Sequence, residues 1–128
     1  MRGVISEKLI PFLTQANEAL ALSKKEGVLL SPALVRGNLD KLAPLIGQGP
    51  ELSFVENREL KINDRIIPVR VYSPEPLQTL PVVIHYHGGG HICGSVALYD
   101  PICRKVAEQS HCIVISVEYR LAPEHPYP

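Results

Sequence analysis

The first fifty residues have the hydrophobic spacing of α-helices. Pro11 suits the first turn of a helix, so the regular helix is expected to begin there. Gly27 suits the position just after the helix end. Between residues 5 and 26 apolar side chains recur with a period near 3.6 residues, at Leu9, Leu13, Ala16 and Leu20.

A second helical pattern follows in the same region. Ser31 and Pro32 have the residue types of an N-cap and a first helical position. Gly47 ends the pattern, so residues 1–50 are predicted to hold two helices ahead of the main core. The apolar positions of the second helix are Val35, Leu39, Leu42 and Ile46.

Beyond residue 50 the spacing becomes that of β-strands. Residues 59–62 alternate polar and apolar side chains, Asn63 and Asp64 are typical of a turn, and residues 66–72 resume an extended run. This order predicts a β-hairpin. Pro68 has no N–H to donate, so we expect the strand to have an open edge or a bulge there.

Two apolar runs, at 81–86 and 112–117, are typical of strands buried on both faces of a parallel sheet. A helix is expected between them, because parallel strands need a crossover connection. The order strand, helix, strand predicts one right-handed βαβ unit. Residues 51–128 are therefore predicted to form an α/β core.

The helix of this unit has its own start signal. Asp100 and Pro101 are the residue types of an N-cap and a first helical position, which predicts a helix over residues 101–110. Ile102, Val106 and Cys103 are expected to face inward.

Composition and charge exclude several function classes. Thirteen Lys and Arg balance thirteen Asp and Glu among 128 residues, and each half of the chain is balanced as well. Nucleic acid and an anionic membrane surface are therefore not expected as partners. No run of about 18 apolar residues is present, so no membrane span is predicted. Three cysteines without CxxC spacing predict reduced thiols in a cytoplasmic protein.

Candidate chemistry lies where the 81–86 strand ends, at His87, Gly88, Gly89 and Gly90. Functional groups of open α/β sheets gather at the carboxyl ends of parallel strands. Three glycines remove every Cβ, so bare N–H groups can approach a ligand and stabilise a developing oxyanion. A glycine-rich turn without chemistry and a phosphate-binding loop are the alternatives, although no GK[ST] follows.

The chain resembles the hormone-sensitive-lipase family of esterases. The resemblance is close over a little more than a third of the chain and looser over IPVRVYSP at 67–74. It implies an α/β fold, the N-terminal part of an α/β-hydrolase with a mostly parallel sheet, preceded by two cap helices. The closely matching stretches are HYHGGG at 85–90, Gly94-Ser95, YDPICR at 99–104 and SVEYRLAPEHPYP at 116–128.

The resemblance also implies roles for the glycine-rich loop. The N–H groups of Gly89 and Gly90 would be oxyanion-hole donors, and Gly88 would shape the turn. His87 would brace the loop through a hydrogen bond to backbone and would not act as a base. His91 stands where the family usually has an apolar side chain, and it is expected to line the acyl pocket.

Three further positions receive structural roles from the resemblance. Arg120 and Glu124 would tie down the segment after the fourth strand. Asp100 would cap the helix and is not expected to be the triad acid. The two N-terminal helices would cover the acyl pocket.

The catalytic triad of this family is not visible in the sequence. None of the eight serines has glycine at both −2 and +2, as a G-x-S-x-G nucleophile elbow requires. We therefore expect an N-terminal piece of a serine carboxylesterase that is inactive alone, whose parent hydrolyses small carboxylic esters. The alternative is a non-catalytic module that binds a small ligand or is completed by a partner.

Other readings of the histidines are less favoured. His85, His87, His91 and Cys93 could be read as a metal site, but His85 and His87 would share a face only in a regular strand, and His87 already begins the turn, so structural histidines are preferred. Ser95 with His91 or His125 has no acid partner placed by a motif. Neither a metal nor a cofactor is expected.

The resemblance also places the 81–86 strand between the fourth and fifth strands of the family sheet. An open apolar edge is therefore expected on this strand, and such edges pair with other chains. A C-terminal half or a second copy of the chain is the expected partner.

Overall fold

A computed structural model describes residues 4–127. Pro128, the last residue of the 116–128 match, and residues 1–3 lie outside the described residues. The chain divides into two units, residues 1–31 and residues 32–128. The predicted boundary near residue 50 stays a prediction, while helix Pro32–Asp40 clusters with the larger unit.

The smaller unit contains a 3₁₀ turn, Glu7–Leu9, followed by helix α1, Ile10–Lys25. Pro11 is the second helical residue, as its missing N–H allows. Gly27 has φ of +67° and ends the helix in the left-handed region. The predicted first helix is thus confirmed, although its apolar stripe is exposed apart from a half-buried Leu13.

The second predicted helix is two helices. Helix α2 spans Pro32–Asp40 and helix α3 spans Ala43–Ile46. Pro44 explains the break, because it has no N–H for the carbonyl of Asp40 and its ring clashes with that carbonyl in a continuous helix.

The predicted hairpin is confirmed and is longer than expected. Strand β1, Phe54–Ile62, pairs antiparallel with strand β2, Arg65–Ser73, in unbroken register. Asn63 in the turn has φ of +54°, which suits a tight connection.

Pro68 lies where the second neighbour of β2 ends. The ladder between β2 and β4 begins at Val69, and the carbonyl of Pro68 accepts from the N–H of Glu118 at 3.0 Å. The alternative of a bulge at Pro68 is absent from the register to β1, and the ladder to β4 ends next to Pro68 on an inner strand.

The βαβ unit is confirmed as strand β3, Val82–Tyr86, helix α4, Val96–Gln109, and strand β4, Ile113–Val117. The strand order is β1-β2-β4-β3. Only β3 and β4 run parallel among the four strands found in residues 4–127, so this part of the sheet is mixed.

The expected burial of the two apolar runs is half correct. Strand β4 is buried or half-buried throughout. Strand β3 is mostly exposed, with Val82 at 56%, Ile84 at 58% and Tyr86 at 64%. The difference follows from position, because β3 is the edge strand of the described sheet.

Helix α4 begins earlier than predicted. Ser95 is its N-cap, and its Oγ accepts from the N–H of Leu98 at 3.1 Å. Asp100 and Pro101 are therefore inside the helix, and the expectation that Asp100 caps it is wrong.

The inward face of α4 also differs from the prediction. Cys103 is buried as expected, but Ile102 and Val106 are more than a third exposed. The buried stripe consists instead of Val96, Leu98, Cys103 and Ala107.

The core lies between α4 and the sheet, and a charged cluster closes one side of it. Tyr72, Cys103, Ala107, Cys112 and Val114 form the buried centre.

At the margin of this core, Asp100 accepts from Arg70 at 2.8 Å, from the Tyr72 hydroxyl at 3.0 Å and from Arg104 at 2.6 Å. Because Arg70 and Tyr72 belong to β2, this carboxylate fastens α4 to the sheet.

The cluster fixes the ionisation of its members. Burial opposes ionisation of Asp100, but hydrogen bonds from Arg104, Arg70 and Tyr72 outweigh it and hold the pKa of Asp100 below its usual range. Burial, followed by the hydrogen bond to Asp100, raises the pKa of Tyr72. Asp100 is thus an ionised carboxylate surrounded by hydrogen-bond donors.

No helix within residues 4–127 has both the length and the apolar character needed to cross a membrane.

Replacing Asp100 with Asn should lower the free energy of unfolding by about 1–3 kcal/mol, because Arg70 and Arg104 lose their carboxylate. The depressed pKa gives this contribution a pH dependence. It is complete above the unfolded pKa of about 3.9 and is lost as pH falls through the folded value. Urea unfolding of both proteins at pH 7 and at pH 3 measures the two effects.

Glu56→Gln is the matched control. Glu56 pairs with Arg58 at 2.7 Å, but both side chains are about half exposed. Its loss should therefore cost less than about 1 kcal/mol. Equal destabilisation by the two variants would contradict the role given to Asp100.

Candidate functional site

The His87 side chain is buried at the start of the glycine-rich loop. It follows β3 directly and is 3% exposed. Its ring stacks on Tyr119, with centroids 4.3 Å apart, and on Tyr99, with centroids 5.6 Å apart. The Tyr119 hydroxyl donates to the carbonyl of His87. Two aromatic rings, one from the segment after β4 and one from α4, thus hold this histidine in place.

The hydrogen bonds of His87 determine its tautomer. Nδ1 lies 2.9 Å from the carbonyl oxygen of Gly88, which can only accept, so Nδ1 carries the proton. Nε2 is buried and has no hydrogen-bond partner within residues 4–127; the nearest acid is Glu118, with Oε1 at 3.7 Å. The backbone contact expected of His87 is present, and its role stays a prediction.

The next carbonyl, that of Gly89, is held more firmly. It accepts from the N–H groups of Ile92 and Cys93, each at 3.1 Å. The thiol of Cys93 donates to the same oxygen at 3.1 Å. The sequence offered no sign of this thiol contact, because Cys93 shares no motif with the glycines.

These two anchored carbonyls set the direction of two N–H groups. In a trans peptide the C=O and the N–H lie in one plane and point in opposite directions. The N–H of Gly89 therefore points away from the His87 ring, and the N–H of Gly90 points away from Cys93. Within the described part of the chain neither N–H has an acceptor. The loop presents two adjacent, unpaired donors.

Two glycines are required by close approach. A Cβ on Gly89, where φ is +133°, would lie 1.9 Å from the carbonyl oxygen of Cys93. A Cβ on Gly94, where φ is +98°, would lie 2.5 Å from Nδ1 of His87. Gly94 was matched in sequence only as part of a dipeptide, and its contact with the imidazole becomes visible in the fold.

His91 follows the glycines in a left-handed conformation, with φ of +61°. Its carbonyl accepts from the N–H of Ala122 at 2.8 Å. Its ring is exposed and stands edge-on to Tyr119, with centroids 6.2 Å apart. The expectation that it lines an acyl pocket stays a prediction.

Arg36 on α2 is the residue that sequence reasoning missed. Its Nε donates to the carbonyl of Ile92 at 2.8 Å, and its Nη2 donates to the carbonyl of Ala122 at 3.0 Å. Both terminal nitrogens also bind the Glu124 carboxylate, at 2.9 and 2.7 Å. One guanidinium therefore joins α2, the glycine-rich loop and the segment after β4. Only its charge was readable from the sequence.

The Arg36 hydrogen bond is the main reason that the pKa of Glu124 is lowered to about 2. The expected tethering by Glu124 is present, with Arg36 as its partner. Arg120, to which the same role was given, forms no ion pair among residues 4–127.

The histidines and serines set aside earlier have other contacts. His85 Nδ1 lies 3.1 Å from Ser116 Oγ and 3.4 Å from the Cys103 thiol. Burial lowers the pKa of His85. Ser95 Oγ is occupied as the cap of α4. No group of three potential metal ligands is found within residues 4–127.

Comparison with known proteins gives consistent matches. Residues 83–128 match a family model described as an alpha/beta hydrolase fold. Carboxylesterase NlhH of Mycobacterium tuberculosis is 49% identical over an alignment of 79 residues, with 55% of this chain and 25% of that protein covered. An arylesterase of Saccharolobus solfataricus is 44% identical over 87 residues, 68% of this chain and 28% of that protein.

A solved structure matches nearly the whole chain. Ester-hydrolase EH1AB1 from the metagenome of Lake Arreo superposes with a TM-score of 0.80 at 33% identity, covering 98% of this chain and 41% of that one. The chain spans about a quarter of the length of the curated relatives that it matches.

Replacing Gly89 with Ala should destabilise the chain by about 2–4 kcal/mol, because the new Cβ collides with the Cys93 carbonyl and the backbone is left-handed. Gly90→Ala is the matched control, since its Cβ would meet nothing within 4 Å. It should cost about 1 kcal/mol, from its φ alone. Urea unfolding measures both, and equal losses would contradict the packing described.

Replacing Arg36 with Gln should return the pKa of Glu124 from about 2 toward its usual value near 4.3, because the guanidinium hydrogen bonds that stabilise the carboxylate are removed. In the original chain the pair is complete above about pH 4.3 and is lost as pH falls toward 2. NMR titration of the Glu124 carboxyl measures this. Lys41→Gln removes a charge next to α2 and should leave the titration of Glu124 unchanged. An unchanged titration in Arg36→Gln would exclude the Arg36–Glu124 pair.

Proposed function

Because the chain belongs to the hormone-sensitive-lipase family of α/β-hydrolases, we propose that its glycine-rich loop supplies oxyanion-hole donors for ester hydrolysis by the whole protein. This proposal rests on the two adjacent N–H groups of Gly89 and Gly90, which have no hydrogen-bond acceptor among the described residues. Their directions follow from the anchored carbonyls of Gly88 and Gly89.

The chemistry follows from where negative charge develops. Attack on an ester carbonyl turns its oxygen into an oxyanion in the tetrahedral intermediate. Two preorganised N–H groups stabilise that oxygen without reorganising during the reaction. One such donor contributes about 2.7–4 kcal/mol to the transition state.

His87 positions the loop and does not transfer a proton. Its Nδ1 proton is committed to the Gly88 carbonyl, and its side chain has no exposed surface. The imidazole therefore cannot reach a substrate. Its contribution is to hold the peptide plane between Gly88 and Gly89, which sets the direction of the Gly89 donor.

The nucleophile is not among these 128 residues, since no serine lies in a G-x-S-x-G elbow. Losing the nucleophile of a comparable hydrolase costs on the order of 10⁶ in rate. We therefore expect these residues by themselves to show no serine-dependent turnover. The serine, acid and histidine of the acyl-enzyme route would come from the remainder of an esterase fold.

The exposed edge of β3 is the proposed site for that remainder. Val82, Ile84 and Tyr86 are more than half exposed on a strand with one neighbour among the described strands. An apolar edge of this kind pairs with a further strand. A C-terminal half is the occupant proposed here, and self-association of the chain is the alternative.

We propose a small carboxylic ester as the substrate, with His91 lining the acyl pocket. A cytoplasmic location is proposed from the cysteines. All three, Cys93, Cys103 and Cys112, are unpaired and buried, which suits a reducing compartment.

A hybrid enzyme tests the proposed function. The aligned segment of the Saccharolobus solfataricus arylesterase is replaced with the matching residues of this chain, and hydrolysis of p-nitrophenyl acetate is measured. The hybrid should hydrolyse the ester, whereas the 128-residue chain alone should not. Gly89→Ala in the hybrid should lower kcat by about 10²–10³-fold, because the donor is displaced.

Lys105→Gln is the control for this experiment, since Lys105 is exposed on α4 away from the loop. It should leave kcat unchanged. A folded hybrid without activity, or serine-dependent acylation of the 128-residue chain alone, would overturn the proposal.

A further inference from the structure

A cavity beside the glycine-rich loop is lined by basic side chains from three separate segments. His91 comes from the end of the loop, Arg65 from the start of β2, and Arg120 and His125 from the segment after β4. Tyr127, which is almost fully exposed, also lines the cavity. None of the seven described residues that line this cavity is an acid.

The two arginines carry charge that no carboxylate neutralises. Neither Arg65 nor Arg120 forms an ion pair within 4.0 Å in the described part of the chain. Asp64 and Glu118 line an adjacent cavity with the same arginines. In a chain whose charges balance overall, the cavity wall is thus a local excess of positive charge.

Two acids near this wall have other hydrogen-bond partners. Both carboxylate oxygens of Glu124 accept hydrogen bonds from the Arg36 guanidinium. Glu118 accepts from the N–H of Val96 through Oε2, at 2.9 Å. Only Asp64, in the exposed hairpin turn, remains without such a contact among the described groups near the arginines.

Such a wall suits an anion. Guanidinium groups present planar pairs of donors that match carboxylate and phosphate oxygens. A bound anion also relieves repulsion among like charges. The exposed side chains of Arg65, Arg120 and His125 leave the cavity open to solvent and to a small molecule.

The cavity is tied to the loop that carries the unpaired donors. His91 directly follows Gly90, about 3.8 Å away along the backbone. The carbonyl of His91 accepts from Ala122, which also lines the cavity. A ligand that reaches both places can therefore be short.

We propose that this basic cavity binds a compact anionic group, a carboxylate or phosphate. Resting on the proposed function, we assign that group to the substrate, so the substrate class is an ester that carries a negative charge on a short chain. Monoesters of short dicarboxylic acids have this form.

The test is a binding titration of the 128-residue chain, followed by ¹H–¹⁵N NMR, with monomethyl succinate, dimethyl succinate and inorganic phosphate. Monomethyl succinate should shift the His91 and Arg120 amides saturably, and dimethyl succinate should not. Arg120→Gln and Arg65→Gln should each weaken binding about tenfold, since each removes a charged hydrogen-bond donor. Lys105→Gln removes the same charge away from the cavity and should change binding less than twofold.

Equal binding of the two succinate esters, no saturable binding, or equal effects of Arg120→Gln and Lys105→Gln would overturn the proposal. Binding of phosphate without binding of the monoester would overturn the assignment to substrate. The titration needs no turnover, so it is separate from the hybrid test. An active hybrid with no monoester binding refutes only the anionic substrate class.

Discussion

The geometry of the candidate site depends on two backbone carbonyls that face inward. The Gly88 oxygen is held by the His87 imidazole, and the Gly89 oxygen by Ile92 and Cys93. Because each peptide is planar and trans, turning these carbonyls inward turns the N–H groups of Gly89 and Gly90 outward. The direction of the two N–H groups thus follows from the hydrogen bonds that hold the two carbonyls. The N–H groups need no partners of their own to keep this direction.

Those anchors depend on contacts between distant parts of the chain. The His87 ring is stacked by Tyr99 from α4 and Tyr119 from the segment after β4. Helix α4 is in turn fastened to β2 by the Asp100 carboxylate. Arg36 restrains the far end of the loop at Ile92. The loop is short, but its conformation is set by the packed α/β core around it.

Local patterns were sufficient for much of the fold. Alternation and turn residues predicted the hairpin, and two apolar runs predicted the βαβ unit, because those signals act over a few residues. The His87–Gly90 motif located the candidate site. The start of α4 was misplaced since Ser95 and Asp100 both have cap chemistry, and which one caps depends on where the helix packs.

Other features had no local signal. Arg36 lies 88 residues from Glu124, so its fork could not be read from either segment. The break at Pro44, by contrast, does have a local signal, because a proline interrupts a continuous helix even where the apolar stripe continues to Ile46. Exposure of β3 follows from strand order, and an apolar run looks the same at the centre and at the edge of a sheet.

The edge position of β3 also determines where the loop gets its rigidity. The strand that leads into His87 is mostly exposed, so its own burial cannot fix the loop. The anchors lie instead on the β4 side, in Tyr119, and on α4, in Tyr99. Pairing a further strand with β3 would therefore stabilise the strand while leaving the direction of the two N–H donors unchanged. The donor geometry is a property of the described residues themselves.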